Sequence, residues 1–148
     1  MIYYFAYGSN MSPHRMKERN CDIISTKRGV LQDYKLTFDK KSSKIKDTGF
    51  ATVIPKNGED VEGILYELDE KSLLILDKFE GYPSHYTRKE LNILTEFGSQ
   101  LSYVYVATPE WIVDGLKPSK IYLEHLLSGK EYLTESYFNK LKEAPTNG

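Results

Sequence analysis

The sequence predicts an α+β fold, with about six strands in a largely antiparallel or mixed sheet and four short helices around it. Short apolar or alternating segments follow one another with turns between them, and no strict alternation of strands and helices occurs. Twelve tyrosines among 148 residues suit the walls of such a sheet, because each offers an apolar ring with a polar tip. A sheet of many short strands can curl into a barrel.

The chain opens with an apolar segment at residues 2–7, which predicts a buried strand ending at a glycine. Ser12 is a candidate helix N-cap with Pro13 at the first helical position, and this helix is expected to reach about Arg19.

Clear alternation over residues 29–38 predicts a half-buried strand, with one apolar face formed by Val30, Tyr34, Leu36 and Phe38. A polar loop is expected from Lys40 to Thr48. Gly49–Pro55 and Val61–Leu68 predict two more strands, joined by a turn around Asn57-Gly58.

Asp69 is expected to cap a helix that runs to Phe79 and ends at Gly81. Its buried stripe would consist of Leu73, Leu76 and Phe79.

The remaining elements are a hairpin and two helices. The hairpin would join Tyr86–Leu94 to Leu101–Ala107 across Gly98-Ser99. Pro118 begins a helix that Gly129 ends, and Thr134 caps a last helix through Leu141. We expect a single domain over residues 1–142, followed by a flexible tail at 143–148.

Charge and cysteine content narrow the function class. The net charge is −1, which gives no electrostatic reason to expect a nucleic acid or an anionic membrane as partner. No apolar run is long enough to cross a bilayer. Cys21 is the only cysteine, which is typical of a protein in a reducing compartment, so a cytoplasmic location is expected.

The sequence lacks the motifs of several common classes of enzyme and nucleotide-binding protein. The sequence contains no G-x-G-x-x-G, no G-x-x-x-x-G-K and no G-x-S-x-G. His14, His85 and His125 stand apart from one another, so no metal site is predicted. Cys21 has no histidine near it in sequence, and we interpret it as a spectator thiol rather than a nucleophile.

Two segments are candidates for a functional site. Gly8-Ser9-Asn10 follows a strand and precedes a helix, so three successive backbone amides could face an anion or a developing oxyanion. An ordinary strand-to-helix turn, with Asn10 or Ser12 acting only as caps, explains the same residues.

Glu80 is the second candidate. It lies at the C-terminal end of a predicted helix, where the helix dipole disfavours a carboxylate, and Phe79 and Tyr82 could desolvate it. A raised pKa would suit a general acid or base near neutral pH. An exposed glutamate at a frayed helix end is the alternative.

The chain resembles the gamma-glutamylcyclotransferase family over about residues 3 to 142. The resemblance rests on five segments that occur in the family's order: Tyr4-Phe5-Ala6-Tyr7-Gly8-Ser9-Asn10, Leu31-Gln32-Asp33-Tyr34-Lys35-Leu36, Gly49-Phe50-Ala51-Thr52-Val53, Val61-Glu62-Gly63-Ile64-Leu65 and Leu76-Asp77-Lys78-Phe79-Glu80-Gly81.

This resemblance implies a small mixed β-barrel with peripheral short helices, a homodimer, no cofactor, and a small-molecule gamma-glutamyl substrate that is converted to 5-oxoproline and a free amine. It also implies that Glu80 is the general base and acid. The implied substrate-binding residues are Tyr4, Phe5, Ala6, Tyr7, Gly8, Ser9, Asn10, Tyr86 and Tyr122.

Two other functions fit the same scaffold. A non-catalytic module could bind a small amino-acid-like ligand, and an amide hydrolase could release free glutamate. The residues around Glu80, including Tyr82-Pro83 and His85, do not identify the leaving group. The substrate could be glutathione, a gamma-glutamyl dipeptide, a gamma-glutamylamine or a protected antibiotic intermediate.

Overall fold

The computed structural model describes residues 2–148 and contains five strands and four α-helices over that range. The strands are β1 (Ile2–Ala6), β2 (Ile23–Lys41), β3 (Gly49–Leu68), β4 (Tyr86–Thr95) and β5 (Gly98–Ala107). The helices are α1 (Pro13–Glu18), α2 (Glu70–Glu80), α3 (Lys120–Leu127) and α4 (Glu135–Lys142). Single-turn 3-10 segments occur at Ser9–Met11, Pro109–Trp111 and Lys130–Tyr132.

The strands close into a barrel in the order β1-β3-β2-β4-β5. β1 and β5 complete the closure as a parallel pair, with Tyr4 opposite Tyr103, while the other neighbours are antiparallel. The predicted fold class, a small mixed barrel with short peripheral helices, is confirmed. Closure leaves no long sheet edge open, and it brings the end of β1 near the strands at the opposite side of the sheet.

The predicted hairpin around Asn57-Gly58 is wrong. Residues 49–68 form one long strand, β3, and both of its halves pair with β2 instead of with each other. Gly58 does have a positive φ of 83°, so the local turn chemistry is present. The turn residues form an irregularity in β3 opposite the step between Gln32 and Tyr34. No hairpin forms because β2 is long enough to pair with both halves of β3.

β2 is also longer than predicted, and it contains a bulge. Asp33 has a φ of 60°, and the register shifts between Gln32 and Tyr34. The bulge reverses the alternation upstream of it, so Leu31 is buried on the face that Tyr34 shares, whereas Val30 was expected there.

Helix ends follow the predicted capping residues. Ser12 Oγ accepts from the Arg15 amide at 3.2 Å, and Asp69 Oδ1 accepts from the Ser72 amide at 2.8 Å. Gly81 ends α2 with a left-handed φ of 65°, which a residue with a Cβ adopts only with strain. α3 begins two residues later than predicted because Ser119, following Pro118, provides the cap.

The β4–β5 hairpin forms, but its turn lies at Glu96-Phe97 rather than at Gly98-Ser99. Thr95 Oγ1 accepts from the Phe97 amide at 3.1 Å and donates to the Gly98 carbonyl at 2.8 Å, which closes the turn before the glycine. Gly98 therefore starts β5, with a φ of 108°.

The buried stripe of α2 is narrower than predicted. Leu73 and Leu76 are buried in the core, but Phe79 is 55% exposed. Its ring instead lies under the guanidinium of Arg19, 4.5 Å from the ring centroid. The expectation of a buried Phe79 is wrong because the C-terminal turn of α2 faces the open end of a cavity.

Asp77 of α2 anchors the helix to the barrel. Its carboxylate accepts from Arg88 Nε at 2.7 Å and from Arg88 Nη2 at 2.8 Å, and it also accepts from the Tyr105 hydroxyl at 2.7 Å. This bidentate pair, largely removed from solvent, holds α2 against β4 and β5 and so fixes the position of Glu80 one turn later.

We expect Asp77→Ala to lower the free energy of unfolding by about 3 kcal/mol, because it leaves the Arg88 guanidinium and the Tyr105 hydroxyl without their acceptor. Chemical denaturation measures this value. The control is Arg28→Gln, which breaks a more exposed contact with Glu62 and should cost less than about 1 kcal/mol. Equal losses for the two variants would contradict the anchoring role of Asp77.

Cys21 is a free, buried thiol. None of the helices formed by residues 2–148 combines the length and the apolar character needed to cross a bilayer. Near the C-terminus, the Asn147 amide donates to the Pro118 carbonyl at 2.8 Å. The boundary at residue 142 stays a prediction.

Candidate active site

A cavity of about 420 Å³ opens between the end of β1, the C-terminal turn of α2 and the start of β4. Most of the residues predicted to form a site line it together: Tyr4, Tyr7, Gly8, Ser9, Asn10, Glu80, Tyr86 and Tyr122. Barrel closure makes this possible because positions 10 and 80, which are far apart in sequence, lie at the same rim.

Gly8 starts the loop at one wall of the cavity. A Cβ on this residue would lie 3.2 Å from the Ala51 Cβ and 3.3 Å from the Tyr122 hydroxyl, closer than side-chain carbons normally pack. The Ser9–Met11 turn follows, closed by the Met11 amide donating to the Gly8 carbonyl at 3.0 Å. Glycine thus lets the main chain of this loop lie against β3 at the cavity wall.

Hydrogen bonds from both its main chain and its side chain hold Asn10 in place. Asn10 is 2% exposed, and its main-chain carbonyl accepts from the Tyr66 hydroxyl at 2.7 Å. The side-chain amide donates to the Tyr4 hydroxyl at 2.9 Å, while Oδ1 accepts from Arg19 Nη1 at 2.9 Å. Asn10 is therefore a rigid part of the cavity wall rather than a simple helix cap.

Glu80 faces this loop. Its Oε1 accepts from the Asn10 side-chain amide at 3.4 Å, a long contact that joins the two candidate segments. Burial raises the pKa of Glu80 to about 7, and this effect outweighs the opposing influence of Arg19, Arg15 and Lys40. The residue keeps partial exposure because it lines the cavity, while the protein around its carboxyl group disfavours the charge.

The two sequence neighbours expected to shield Glu80 are themselves partly exposed, Phe79 by 55% and Tyr82 by 39%. The cavity that Glu80 faces is also lined by the Gly8–Asn10 loop and by the buried side chain of Tyr4. Residues distant in sequence, among them Arg19, Arg15 and Lys40, therefore contribute to the electrostatic environment of Glu80.

Tyr86 and Tyr122 are both tied to the main chain of Ala51. Tyr86 donates its hydroxyl proton to the Ala51 carbonyl at 2.7 Å, and the Tyr122 oxygen accepts from the Ala51 amide at 3.0 Å. Burial raises the pKa of Tyr122 to about 12, so it is a neutral phenol at physiological pH. These bonds orient both rings along the cavity wall, and their binding of substrate stays a prediction.

Comparison with known proteins now identifies the family. Residues 4–127 match the profile of the family described as gamma-glutamyl cyclotransferase, AIG2-like. The chain belongs to this gamma-glutamyl cyclotransferase family.

Similar members of the gamma-glutamyl cyclotransferase family include two mammalian proteins named gamma-glutamylcyclotransferase. The one from Bos taurus is 34% identical over 103 residues, which cover 67% of this chain and 55% of the relative. The one from Mus musculus is 29% identical over 151 residues, covering 97% of this chain and 79% of the relative. The matched part of this chain thus spans about half the length of the bovine relative.

A solved structure titled gamma-glutamyl cyclotransferase has the same fold. It superposes with a TM-score of 0.83 at 29% sequence identity, covering 99% of this chain and 89% of that structure. The agreement extends the family match beyond residue 127, to α4 and the C-terminal segment.

Two of the predicted binding residues, Phe5 and Ala6, do not line this cavity. Phe5 is fully buried and Ala6 is 1% exposed, and each packs in one of the two core clusters of the barrel. Alternation along β1 explains the position of Phe5, which faces away from Tyr4, whereas Ala6 shares the face of Tyr4 and packs in the same core cluster. The geometry argues against direct substrate contact by these two side chains.

The basic side chains that line this cavity were not identified from the sequence. Five basic residues line it against a single carboxylate, that of Glu80; they are Arg15, Arg19, Lys40, Lys44 and Lys78. Arg15 lies in α1 and Arg19 directly follows its last residue, so the four-residue spacing of a helix could have revealed them. Lys40 was assigned to a polar loop, and no local signal marks it as buried.

Within residues 2–148, no cluster of three or more histidine, cysteine or acidic side chains is arranged to hold a metal ion. Arg19, Asn10 and Glu80 instead form a chain of polar contacts at the loop.

We expect Asn10→Ala to lower the free energy of unfolding by about 1–3 kcal/mol and to reduce turnover, because the Arg19 guanidinium and the Tyr4 hydroxyl lose their partner. Thermal unfolding and a product assay measure the two effects. Asn92→Ala is the control, since Asn92 is exposed on β4 and should change neither quantity. Unchanged turnover in a folded Asn10→Ala protein would contradict the role of the loop.

Proposed function

We propose that this protein converts a gamma-glutamyl amine or peptide to 5-oxoproline and a free amine, with Glu80 as general base and acid. The observation that carries the proposal is the position of Glu80, which contacts the Gly8–Asn10 loop through Asn10 at 3.4 Å across a cavity large enough for a dipeptide. Membership of the cyclotransferase family supports the same reaction.

The reaction is an internal aminolysis. The α-amine of the gamma-glutamyl group attacks its own side-chain amide carbon, so one C–N bond closes a five-membered lactam. The C–N bond to the leaving amine then breaks. Because α-amines have a pKa of about 8, the amine is mostly protonated at neutral pH and must first lose a proton.

Glu80 can perform both proton transfers. As a carboxylate it accepts one proton of the α-ammonium group, and as the resulting acid it donates this proton to the departing nitrogen. After attack the ring nitrogen loses its second proton to water, and the released amine takes up a proton from water. A pKa of about 7 places both forms within reach near neutral pH. Proton transfer of this kind contributes roughly 10²–10⁴-fold to rate.

The loop supplies positioning. Ring closure is already intramolecular, so the remaining task of the protein is to hold the rotamer in which amine and carbonyl meet. The main-chain amides of Gly8, Ser9 and Asn10 would bind either the α-carboxylate or the oxyanion that develops on the attacked carbonyl. Tyr86 and Tyr122 would shape the same wall from β4 and α3.

The product distinguishes this function from its alternatives. Wild-type protein incubated with gamma-glutamyl-alanine, glutathione and gamma-glutamyl-ε-lysine should release 5-oxoproline from at least one of them, measured by chromatography. Free glutamate in place of 5-oxoproline would identify an amide hydrolase. Binding without any product would identify a non-catalytic module, and either result would overturn the proposal.

We also propose that the protein acts in the cytoplasm as a homodimer and that its reaction needs no cofactor. The single buried cysteine agrees with a reducing compartment, and the family resemblance implies the dimer. Light scattering coupled to size-exclusion chromatography tests the oligomeric state, and a monomer mass of about 17 kDa at micromolar concentration would contradict it.

A further inference from the structure

Lys40 is a buried cation at the C-terminal end of β2. The residue is 3% exposed, and its Nζ lies 4.5 Å from the ring centroid of Trp111 and 5.6 Å from that of Phe50. Nζ donates to the Lys41 carbonyl at 2.9 Å and to His85 Nδ1 at 2.7 Å. The ammonium group therefore has a fixed position on the cavity wall.

His85 and Trp111 hold Lys40 in this position. An ammonium group carries only donors, so His85 Nδ1 must accept and the ring proton resides on Nε2. The imidazole stacks on the Trp111 indole, with centroids 3.8 Å apart and planes 21° from parallel. Burial and the adjacent lysine lower the pKa of His85, which keeps the imidazole in the neutral form that accepts.

No carboxylate of the described residues forms an ion pair with Lys40, and Glu80, in the same cavity, favours its charge without contacting it. Among residues 2–148, the carboxylates within ion-pair distance of a basic side chain are those of Glu18, Glu62 and Asp77, and none of them contacts Lys40. A buried charge without a counter-ion is costly. Two of its three N–H donors are bonded, so one remains for a group that enters the cavity.

The cavity has a second, separate source of positive charge. Arg19 bonds to Asn10 and Arg15 lies near His125, so both guanidinium groups belong to the α1 side, beside the loop. Lys40 comes from the end of β2 instead and contacts His85 at the start of β4. Glu80 experiences the charge of all three.

A gamma-glutamyl amino acid carries two carboxylates, one on the gamma-glutamyl group and one on the leaving amino acid. The loop and its adjacent arginines are available to bind the first. We propose that Lys40 binds the second, so that this protein selects gamma-glutamyl amino acids or short peptides whose leaving group bears a carboxylate, over gamma-glutamyl amines that lack one. This inference rests on the function proposed above.

The test compares two substrates that differ by one carboxylate, gamma-glutamyl-alanine and gamma-glutamyl-ethylamine. Wild-type protein should show kcat/KM roughly 10- to 100-fold higher for the alanine compound, the range expected for one charged hydrogen bond. Lys40→Met should reduce this ratio to within about threefold by lowering the alanine value only. Lys46→Met, an exposed lysine outside the cavity, should leave the ratio unchanged.

Three results would overturn the inference. A wild-type ratio near one would mean that the leaving-group carboxylate is not recognised. An equal loss of kcat/KM for both substrates in Lys40→Met would mean that Lys40 binds the carboxylate that both substrates share. A preserved ratio in folded Lys40→Met would mean that another cation binds the leaving group.

A binding measurement separates this inference from the proposed reaction. Calorimetry on Glu80→Gln, which should turn over either compound roughly 10²–10⁴-fold more slowly, should give tighter binding of gamma-glutamyl-alanine, and adding Lys40→Met should remove the difference. If wild-type protein makes no 5-oxoproline, the proposed function fails while this comparison still decides the role of Lys40. If Lys40→Met does not fold, equal affinities of the two compounds for Glu80→Gln alone would overturn the inference.

Discussion

Glu80→Gln should reduce 5-oxoproline formation by roughly 10²–10⁴-fold, because an amide can neither accept the proton of the α-ammonium group nor return it to the leaving nitrogen. Glutamine has nearly the same shape, so the contact with the Asn10 side chain, 3.4 Å in the native protein, can be kept through the amide oxygen. Steady-state kinetics with the best substrate of the panel measures the loss.

Two controls make this result specific. Glu96→Gln changes an exposed carboxylate in the β4–β5 turn and should leave kcat/KM unchanged. Circular dichroism and calorimetric binding of the substrate should show that Glu80→Gln is folded and still binds. Turnover by Glu80→Gln at the wild-type rate would exclude the mechanism proposed here.

The second large effect is the pH dependence of catalysis. Glu80 must be ionised to accept a proton, and burial raises its pKa to about 7. Below that pH the protonated fraction grows, so the fall in kcat/KM should approach tenfold per pH unit and should reach roughly 50-fold between pH 7 and pH 5. A carboxyl group with an ordinary pKa near 4.3 would give almost no change over this range.

Protein stability reports the same ionisation without any substrate. In the unfolded chain Glu80 loses its proton near pH 4.5, whereas in the folded protein it keeps it until about pH 7, so between these values the native state binds more protons. The contribution of Glu80 to stability is therefore fully present below pH 4.5 and decreases as the pH rises to 7, by at most about 3 kcal/mol.

Glu80→Gln removes this dependence. Its free energy of unfolding, relative to that of the wild type, should rise from pH 4.5 to pH 7 and level off above, as measured by chemical denaturation across the pH range. A flat difference, together with a flat kcat/KM between pH 5 and pH 7, would mean that the carboxyl group is not desolvated in solution.

Local patterns predicted the parts of the site that depend on neighbours in sequence. The apolar segment before Gly8 predicted β1, Ser12-Pro13 predicted the start of α1, and Asp69 with Gly81 predicted both ends of α2. Caps and glycine turns act over three or four residues, so their signals are complete in the sequence.

Features that depend on strand pairing were predicted less well. The turn residues Asn57-Gly58 indicated a hairpin, but β2 is long enough to pair with both halves of β3, and its bulge at Asp33 moved the buried position from Val30 to Leu31. Register reflects the competition between all available partners, which no single segment reveals.

The amino-acid sequence by itself determined the class of fold, the Gly8–Asn10 loop, and the carboxyl group of Glu80 at the end of a helix, because each follows from short-range backbone preferences. Only the tertiary structure decided that the loop and Glu80 face one cavity, that burial there raises the pKa of Glu80, and that Lys40 is buried in the same cavity with no carboxylate in ion-pair contact. Closure of the barrel is the physical reason, since it joins residues that are distant in sequence and sets the electrostatic environment they share.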